Sequence, residues 1–280
     1  MNNILYKVPG ILPGQEPLAS DLYKFVYQPL TKVGCKTFKS WMVMLEMLQG
    51  YDFNPSNEDH QDEIKNLWDQ YTTNHFDKTV DFNIHAFCNQ KYGVLTNNKN
   101  IEGYHKLIIV RNPWDRIASC FTDKVTQNTQ YYKIELMQDW FKQHSGNNLD
   151  YFDKMGRFTF LGFLEALDKI FSEKIVELYD PHWLPQKSII DLYLKDFDTI
   201  IKLENIDKEF NDFKQLLKIP IVPNSFSVVD KQITNGKQIK NKKTKVTYNS
   251  MYNSKISDKV FKIYREDIEL LNYNNNHLDI

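Results

Sequence analysis

The chain has 280 residues, 41% of them hydrophobic and 14% aromatic, enough to bury the core of one large domain. Its 35 basic and 36 acidic side chains nearly cancel, so bulk attraction to nucleic acid is not indicated and any anion site must be local. Three widely spaced cysteines (Cys35, Cys88, Cys120) argue against a disulfide framework and against structural zinc, and no stretch approaches the ~20 apolar residues of a membrane helix, so a soluble, cytoplasmic protein with reduced thiols is expected.

In chain order, residues 1–22 carry prolines and glycines without periodicity and read as an irregular lead-in. "YKFVYQPL" is a short aromatic and β-branched strand. The turn "TKVGCKTFK" follows it, and Phe38, Trp41, Met42, Leu45 and Leu48 then recur at helical spacing. Residues 51–80 are polar, with a helix expected in "DEIKNLWDQYT". "KLIIVR", 106–111, is a continuous apolar run of the kind buried in a parallel sheet. In "NPWDRIASCFTDKV", Asn112 suits an N-cap and Pro113 the first helical position. "DTIIKLEN" is a third strand, followed by the helix "DKEFNDFKQLLK". The polar stretch 224–256, with "KQIKNKKTK", reads as a mobile loop or a ligand lid, and a helix over "SDKVFKIYREDIELLNY" closes the pattern. Strands alternating with helices predict an α/β fold with a mostly parallel central sheet flanked by helices.

In such sheets anions collect beyond the carboxyl ends of the strands, where helix N-termini point N–H groups at them. Two turns qualify. In the first, Gly34 permits close backbone approach, Lys32 with Lys36 or Lys39 supplies charge, and Thr37 supplies a hydroxyl. Alone, a Gly/Lys-rich turn is a solvated turn more often than a phosphate site. In the second, Arg111 ends the strand and can grip a phosphate bidentately, with Ser119 adding a hydroxyl from the helix; an arginine capping a sheet edge is the alternative. Only four arginines (Arg111, Arg116, Arg157, Arg265) stand in a lysine-rich chain.

Taken together, the segments resemble the PAPS-dependent carbohydrate sulfotransferases called sulfotransferase family 2, the chondroitin and HNK-1 sulfotransferase type. "TKVGCKTFKSWM" is similar to the family's 5′-phosphosulfate loop, P-K-V-[GA]-C-T-[NS]-W-K. "LIIVRNPWDRIASCFTDKV" is similar to its 3′-phosphate segment, F-V-R-[DEH]-P-F-E-R-L-[VI]-S-A-[FY]-x-[DN]-K. "DPHWLPQ" resembles D-x-H-W-x-P-Q, "FDTIIKLENI" resembles Y-D-F-[IV]-G-K-x-E, and "VFKIYREDIELLNY" resembles the closing Y-x-x-D-F-E-L-F-G-Y. Departures lie at Thr31, Lys36, Thr37 and Phe38 in the first block and at Asn112 in the second.

The resemblance implies a single domain of P-loop-like sulfotransferase fold over residues 1–280. It implies PAPS as donor, PAP as product and no metal. The 5′-phosphosulfate would lie on Lys32, Val33, Gly34, Cys35, Lys36, Thr37, Phe38 and Lys39, and the 3′-phosphate on Arg111 and Ser119. Lys32 would stabilise the leaving phosphate, and His182 or His85 would serve as base toward a hydroxyl of a carbohydrate or small glycosylated acceptor. Trp183 could stack on a ring or lie in the core; Glu204 could organise the site or pair with Lys202. Acceptor-recognising loops are expected at 51–104, 128–160 and 224–256. The rival readings are a kinase or NTPase with a degenerate phosphate loop, and a nucleotide- or glycan-binding protein without transfer.

Overall fold

The computed structural model describes residues 15–47, 84–127, 131–146, 148–194, 196–219 and 248–273. Its centre is a four-stranded sheet in the order β1 (Leu18–Ser20), β2 (Phe25–Gln28), β3 (His105–Val110), β4 (Thr199–Lys202). Strand β1 runs antiparallel to β2, while β2, β3 and β4 are mutually parallel. All of β2 and the last four residues of β3 are buried, which is why both are written as unbroken apolar or aromatic runs. Within the stretch expected to be an irregular lead-in, β1 is a correction: three residues are too few to display a period, and pairing to β2 supplies their order.

Eight helices are described around this sheet: α1 (Cys35–Met47), α2 (Ile84–Tyr92), α3 (Pro113–Phe121), α4 (Tyr132–Ser145), α5 (Phe160–Glu173), α6 (Gln186–Tyr193), α7 (Ile206–Leu216) and α8 (Ser254–Leu270). Helix α3 begins as its sequence dictates: the Asn112 side chain accepts from the Trp114 N–H and Pro113 takes the first turn. It then widens into a π-helical turn, Thr122–Gln127. Helix α8 packs on α3, α5 and α6, and α2 packs on α1 and β1. The core between layers is aromatic, with Phe25, Phe38, Trp114, Phe163, Trp183 and Tyr264 at most 1% exposed. The three cysteines are buried free thiols, and burial pushes Cys88 and Cys120 up to about 12.

Three segments expected as loops differ, helix α2 lying within 51–104. Helix α4, Tyr132–Ser145, lies within 128–160, with Ile134, Met137 and Phe141 as its buried stripe. Tyr248–Met251 form a 3₁₀ turn and α8 starts at Ser254, so the end of the 224–256 stretch is ordered helix. There Asn253 caps α8 by accepting from the Ile256 N–H at 3.0 Å. The helix expected in 62–72 and the lysines of 240–245 lie outside the described residues. Among those described, no helix is long and apolar enough to cross a membrane.

The register sets Gln28 beside Ile108 and Val110 beside Lys202, so the chain leaves β2, β3 and β4 along one edge. The turns that follow these strands therefore meet.

Candidate active site

The β2–α1 turn is shaped by backbone conformation. Lys32 has φ 66° and Gly34 φ 82°, both left-handed, and a side chain pays roughly 1–2 kcal/mol there. Lys24, Lys174 and Lys218 share this conformation, so at Lys32 it shapes the turn without by itself marking a site. The first helical bond of α1 runs from the Phe38 N–H to the Gly34 carbonyl at 3.1 Å, so Cys35, Lys36 and Thr37 form the N-terminal turn of the helix. No acidic residue stands in that turn, leaving the positive end of the helix dipole available to an anion.

Lys32 reaches across to α3's π-turn, where its ammonium pairs with Asp123. Lys124 lies 3.4 Å from the same carboxylate oxygen. Partial burial pushes the Asp123 carboxyl up, but the hydrogen bond and charge of Lys32 and the charge of Lys124 outweigh it and hold the group below the usual carboxylate range.

The β3–α3 turn is built differently. Arg111 donates from Nη1 to the Lys32 carbonyl at 3.2 Å, and its guanidinium carbon lies 5.8 Å from the Tyr248 ring centre. Its backbone is gripped on both sides: Gln186 Oε1 accepts from the Arg111 N–H at 3.0 Å and Gln186 Nε2 donates to the Arg111 carbonyl at 2.8 Å. Gln186 is fixed in turn by Asp267, which accepts from the Gln186 and Lys187 N–H groups at 2.8 and 2.7 Å at the start of α6. Asp267 is fully buried, and that burial raises its carboxyl even though the N–H bonds and Arg116 pull the other way. Next along, the Asn112 N–H donates to Glu204 at 2.7 Å, and Glu204 accepts from the Tyr273 hydroxyl at 3.0 Å.

His182 completes the cluster. Its Nδ1 lies 2.6 Å from Asp180 Oδ1, whose other oxygen accepts from the Tyr131 hydroxyl at 2.7 Å. Desolvation raises the buried Asp180 carboxyl, but the bonds and charge of His182 and the Tyr131 bond reverse this and lower it overall. The Tyr131 phenol is raised by burial and by Asp180, so it keeps its proton and donates. An ionised Asp180 is an acceptor only, so in neutral His182 the proton sits on Nδ1 and Nε2 carries the lone pair. That is the tautomer of a general base.

Arg116 joins these parts. It is 1% exposed and spends its donors on carbonyls: Nε on Thr31 at 3.1 Å, Nη1 on Leu184 at 2.8 Å and Nη2 on Pro181 at 2.9 Å. The first turn and the His182 loop are thus fastened to one helix.

The sequence profile of the sulfotransferase family matches residues 16–274. The chain belongs to the sulfotransferase family. Carbohydrate sulfotransferase 9 of Homo sapiens is similar, 22% identical over 201 residues that cover 71% of this chain and 40% of the relative. The chain thus spans well under half the length of that relative. No solved structure gives a significant match.

Within this sulfotransferase-family chain, the site residues expected from sequence are not all placed alike. Lys32, Gly34 and Arg111 come together, with Lys36 exposed on the first turn of α1 and Thr37 buried beside it. Ser119 lies with Asp115 on the face of α3 that is not buried. Val33, Cys35 and Phe38 have buried side chains, and Phe38 packs 4.0 Å, centre to centre, from Tyr27, so these three can offer a ligand only their backbone. The Lys39 side chain is fully buried, with Cys35, Cys88 and Glu16 as ionisable neighbours, and burial lowers its ammonium. His85 lies in α2, and its side chain is outside the described residues.

Trp183 is core, donating from Nε1 to the Leu178 carbonyl at 3.1 Å. Glu204 organises the Arg111 turn, while Lys202 donates instead to the Asn272 carbonyl at 3.1 Å. Sequence reasoning missed Asp123, Lys124, Tyr131, Asp180 and Tyr248 as site residues. Asp123, Lys124 and Asp180 stood inside the quoted motifs; Tyr131 and Tyr248 carried no signal.

Proposed function

We propose that the protein is a PAPS-dependent sulfotransferase acting on a hydroxyl of a carbohydrate or small glycosylated acceptor. The observation that carries this reading is the 3.2 Å bond from Arg111 to the Lys32 carbonyl: two anion-facing turns are contiguous, as a nucleotide with charge at two separate ends requires. The residues present fit that donor. Lys32, Lys36 and the N–H groups opening α1 suit the 5′-phosphosulfate, and Arg111 with Ser119 suits the 3′-phosphate. Family membership and the likeness to a carbohydrate sulfotransferase support the same class.

PAPS, when bound, supplies an activated sulfuryl group. The chain's part is placement and charge. Lys32 offers an ammonium to the departing phosphate oxygen, held in position by its left-handed backbone. His182 Nε2 takes the acceptor's hydroxyl proton, and Asp180 steadies the imidazolium that forms. The Tyr131 bond keeps Asp180 oriented throughout.

Thermal shift decides the class. At a hundredfold excess over Kd, 3′,5′-ADP should stabilise the protein by ~2.7 kcal/mol, several degrees in Tm, while ATP with magnesium should not. Preference for ATP overturns the proposal. In the same protein, His182→Ala should retain 3′,5′-ADP binding and lose turnover by ~10²–10⁴-fold; full activity removes His182 as base.

A further inference from the structure

A second cation stands between the leaving-group lysine and the base. Lys124 shares one Asp123 oxygen with Lys32, at 3.4 Å from its own ammonium. On its other side it lies 4.6 Å from the Tyr131 ring centre, and the Tyr131 hydroxyl is 3.3 Å from His182 Nδ1. Lys32, Lys124, Tyr131 and His182 thus form one continuous line of contacts. The Lys124 side chain is 15% exposed, so its ammonium is held at the rim of the site rather than free in solvent. It is carried by the Thr122–Gln127 π-turn, a widened turn of the kind that re-aims side chains at functional sites.

Resting on the sulfotransferase reading, we infer that Lys124 is a catalytic cation for the transferring sulfuryl group, distinct from the lysine that serves the leaving phosphate. Two ammonium groups already converge on one anionic oxygen, that of Asp123. The Asp123 side chain is 43% exposed, so its carboxylate can swing into solvent and yield that place to an oxygen of the ligand. A transferring sulfur must lie between leaving oxygen and acceptor oxygen, hence between Lys32 and His182, and among the described residues Lys124 stands at that interval, reaching the Nδ1 side of His182 through Tyr131. The step balances with water as acceptor: the water oxygen bonds to sulfur, the bond from sulfur to the 5′-phosphate oxygen breaks, and the water proton passes to His182 Nε2. The products are sulfate and 3′,5′-ADP.

The test uses the full chain with two nucleotides that differ only in the sulfuryl group. Lys124→Met should leave the Kd for 3′,5′-ADP within about twofold of wild type, weaken PAPS ~10-fold, and slow release of sulfate into water by at least as much. Lys124→Arg, which keeps the charge, should retain most of the PAPS affinity and provides the comparison should the methionine variant fold poorly. If Lys124→Met binds and turns over PAPS like wild type, or weakens both nucleotides equally, the role assigned to Lys124 is overturned. If wild type binds neither nucleotide, the sulfotransferase reading falls first and takes this one with it.

Discussion

The β2–α1 and β3–α3 turns face the same space but are shaped by different means. The first takes its form from its own backbone, with Lys32 and Gly34 left-handed. The second has an ordinary Asn-Pro helix start and is held from outside by Gln186, Glu204, Asp267 and Tyr273. A turn that offers backbone N–H groups can be pointed by left-handed backbone at two residues, Arg116 and Arg111 then fastening its Thr31 and Lys32 carbonyls. A turn that must aim one long side chain cannot, because Arg111 has to be fixed at its main chain before its guanidinium has a definite reach.

Arg116 is where the two constructions meet, and its loss should have the largest effect. Arg116→Met leaves the Thr31, Pro181 and Leu184 carbonyls without their buried donor, which should cost about 3 kcal/mol or more in urea unfolding. A loss below ~1 kcal/mol would mean the turns stand independently. Arg111→Ala should do the opposite: ~100-fold weaker 3′,5′-ADP binding by calorimetry with stability nearly unchanged, since its braces act on the backbone. Equal affinity would remove Arg111 from the site. Between these lies Gly34→Ala, which at φ 82° should destabilise by ~1–2 kcal/mol and weaken the nucleotide as well. A neutral result would show that the first turn does not require the left-handed conformation at position 34.

The same contrast explains what could be read in the sequence. The parallel strands and α3 were legible because burial on both faces demands apolar runs and because Asn112-Pro113 is a local helix start. Strand β1 and helix α2 were not, being short elements that gain their order from neighbours. At the site, Lys32, Gly34 and Arg111 were legible because turn chemistry is local. The braces were visible only as letters in motifs: nothing in "YREDIELLNY" says that Asp267 caps α6 or that Tyr273 reaches Glu204 across 69 residues. Lys39 shows the converse. A lysine in a phosphate-like turn reads as a ligand, yet helical phase turns this one into the core.

A milder probe of the external bracing is Tyr273→Phe. It deletes the hydroxyl that donates to Glu204 at 3.0 Å and leaves the bond from the Asn112 N–H to Glu204 in place. A net loss of ~1 kcal/mol in stability and a few-fold weaker 3′,5′-ADP binding are expected. Binding reduced as far as in Arg111→Ala would mean that the Glu204 brace, rather than the guanidinium itself, governs the second turn.

The smallest effect is on acid stability, and there the two turns carry opposite signs. Asp123, beside the first, is held below the usual range despite its partial burial, so its contribution is complete above about pH 4 and is lost as pH falls through its folded value. Asp267, behind the second, is raised by burial. Its unfolded form ionises first as pH rises, so stability declines from about pH 4 up through its folded value. In Tm measured from pH 3 to 6, Asp123→Asn should therefore flatten the acid limb, and Asp267→Asn should remove the decline on the other side while lowering the whole curve by loosening its grip on α6. The slopes, not the baselines, carry the comparison, because each substitution also removes a hydrogen-bond acceptor. Slopes shifted in the same direction by both variants would show that the Lys32 pairing does not outweigh the desolvation of Asp123, and that the first turn rests on its backbone alone.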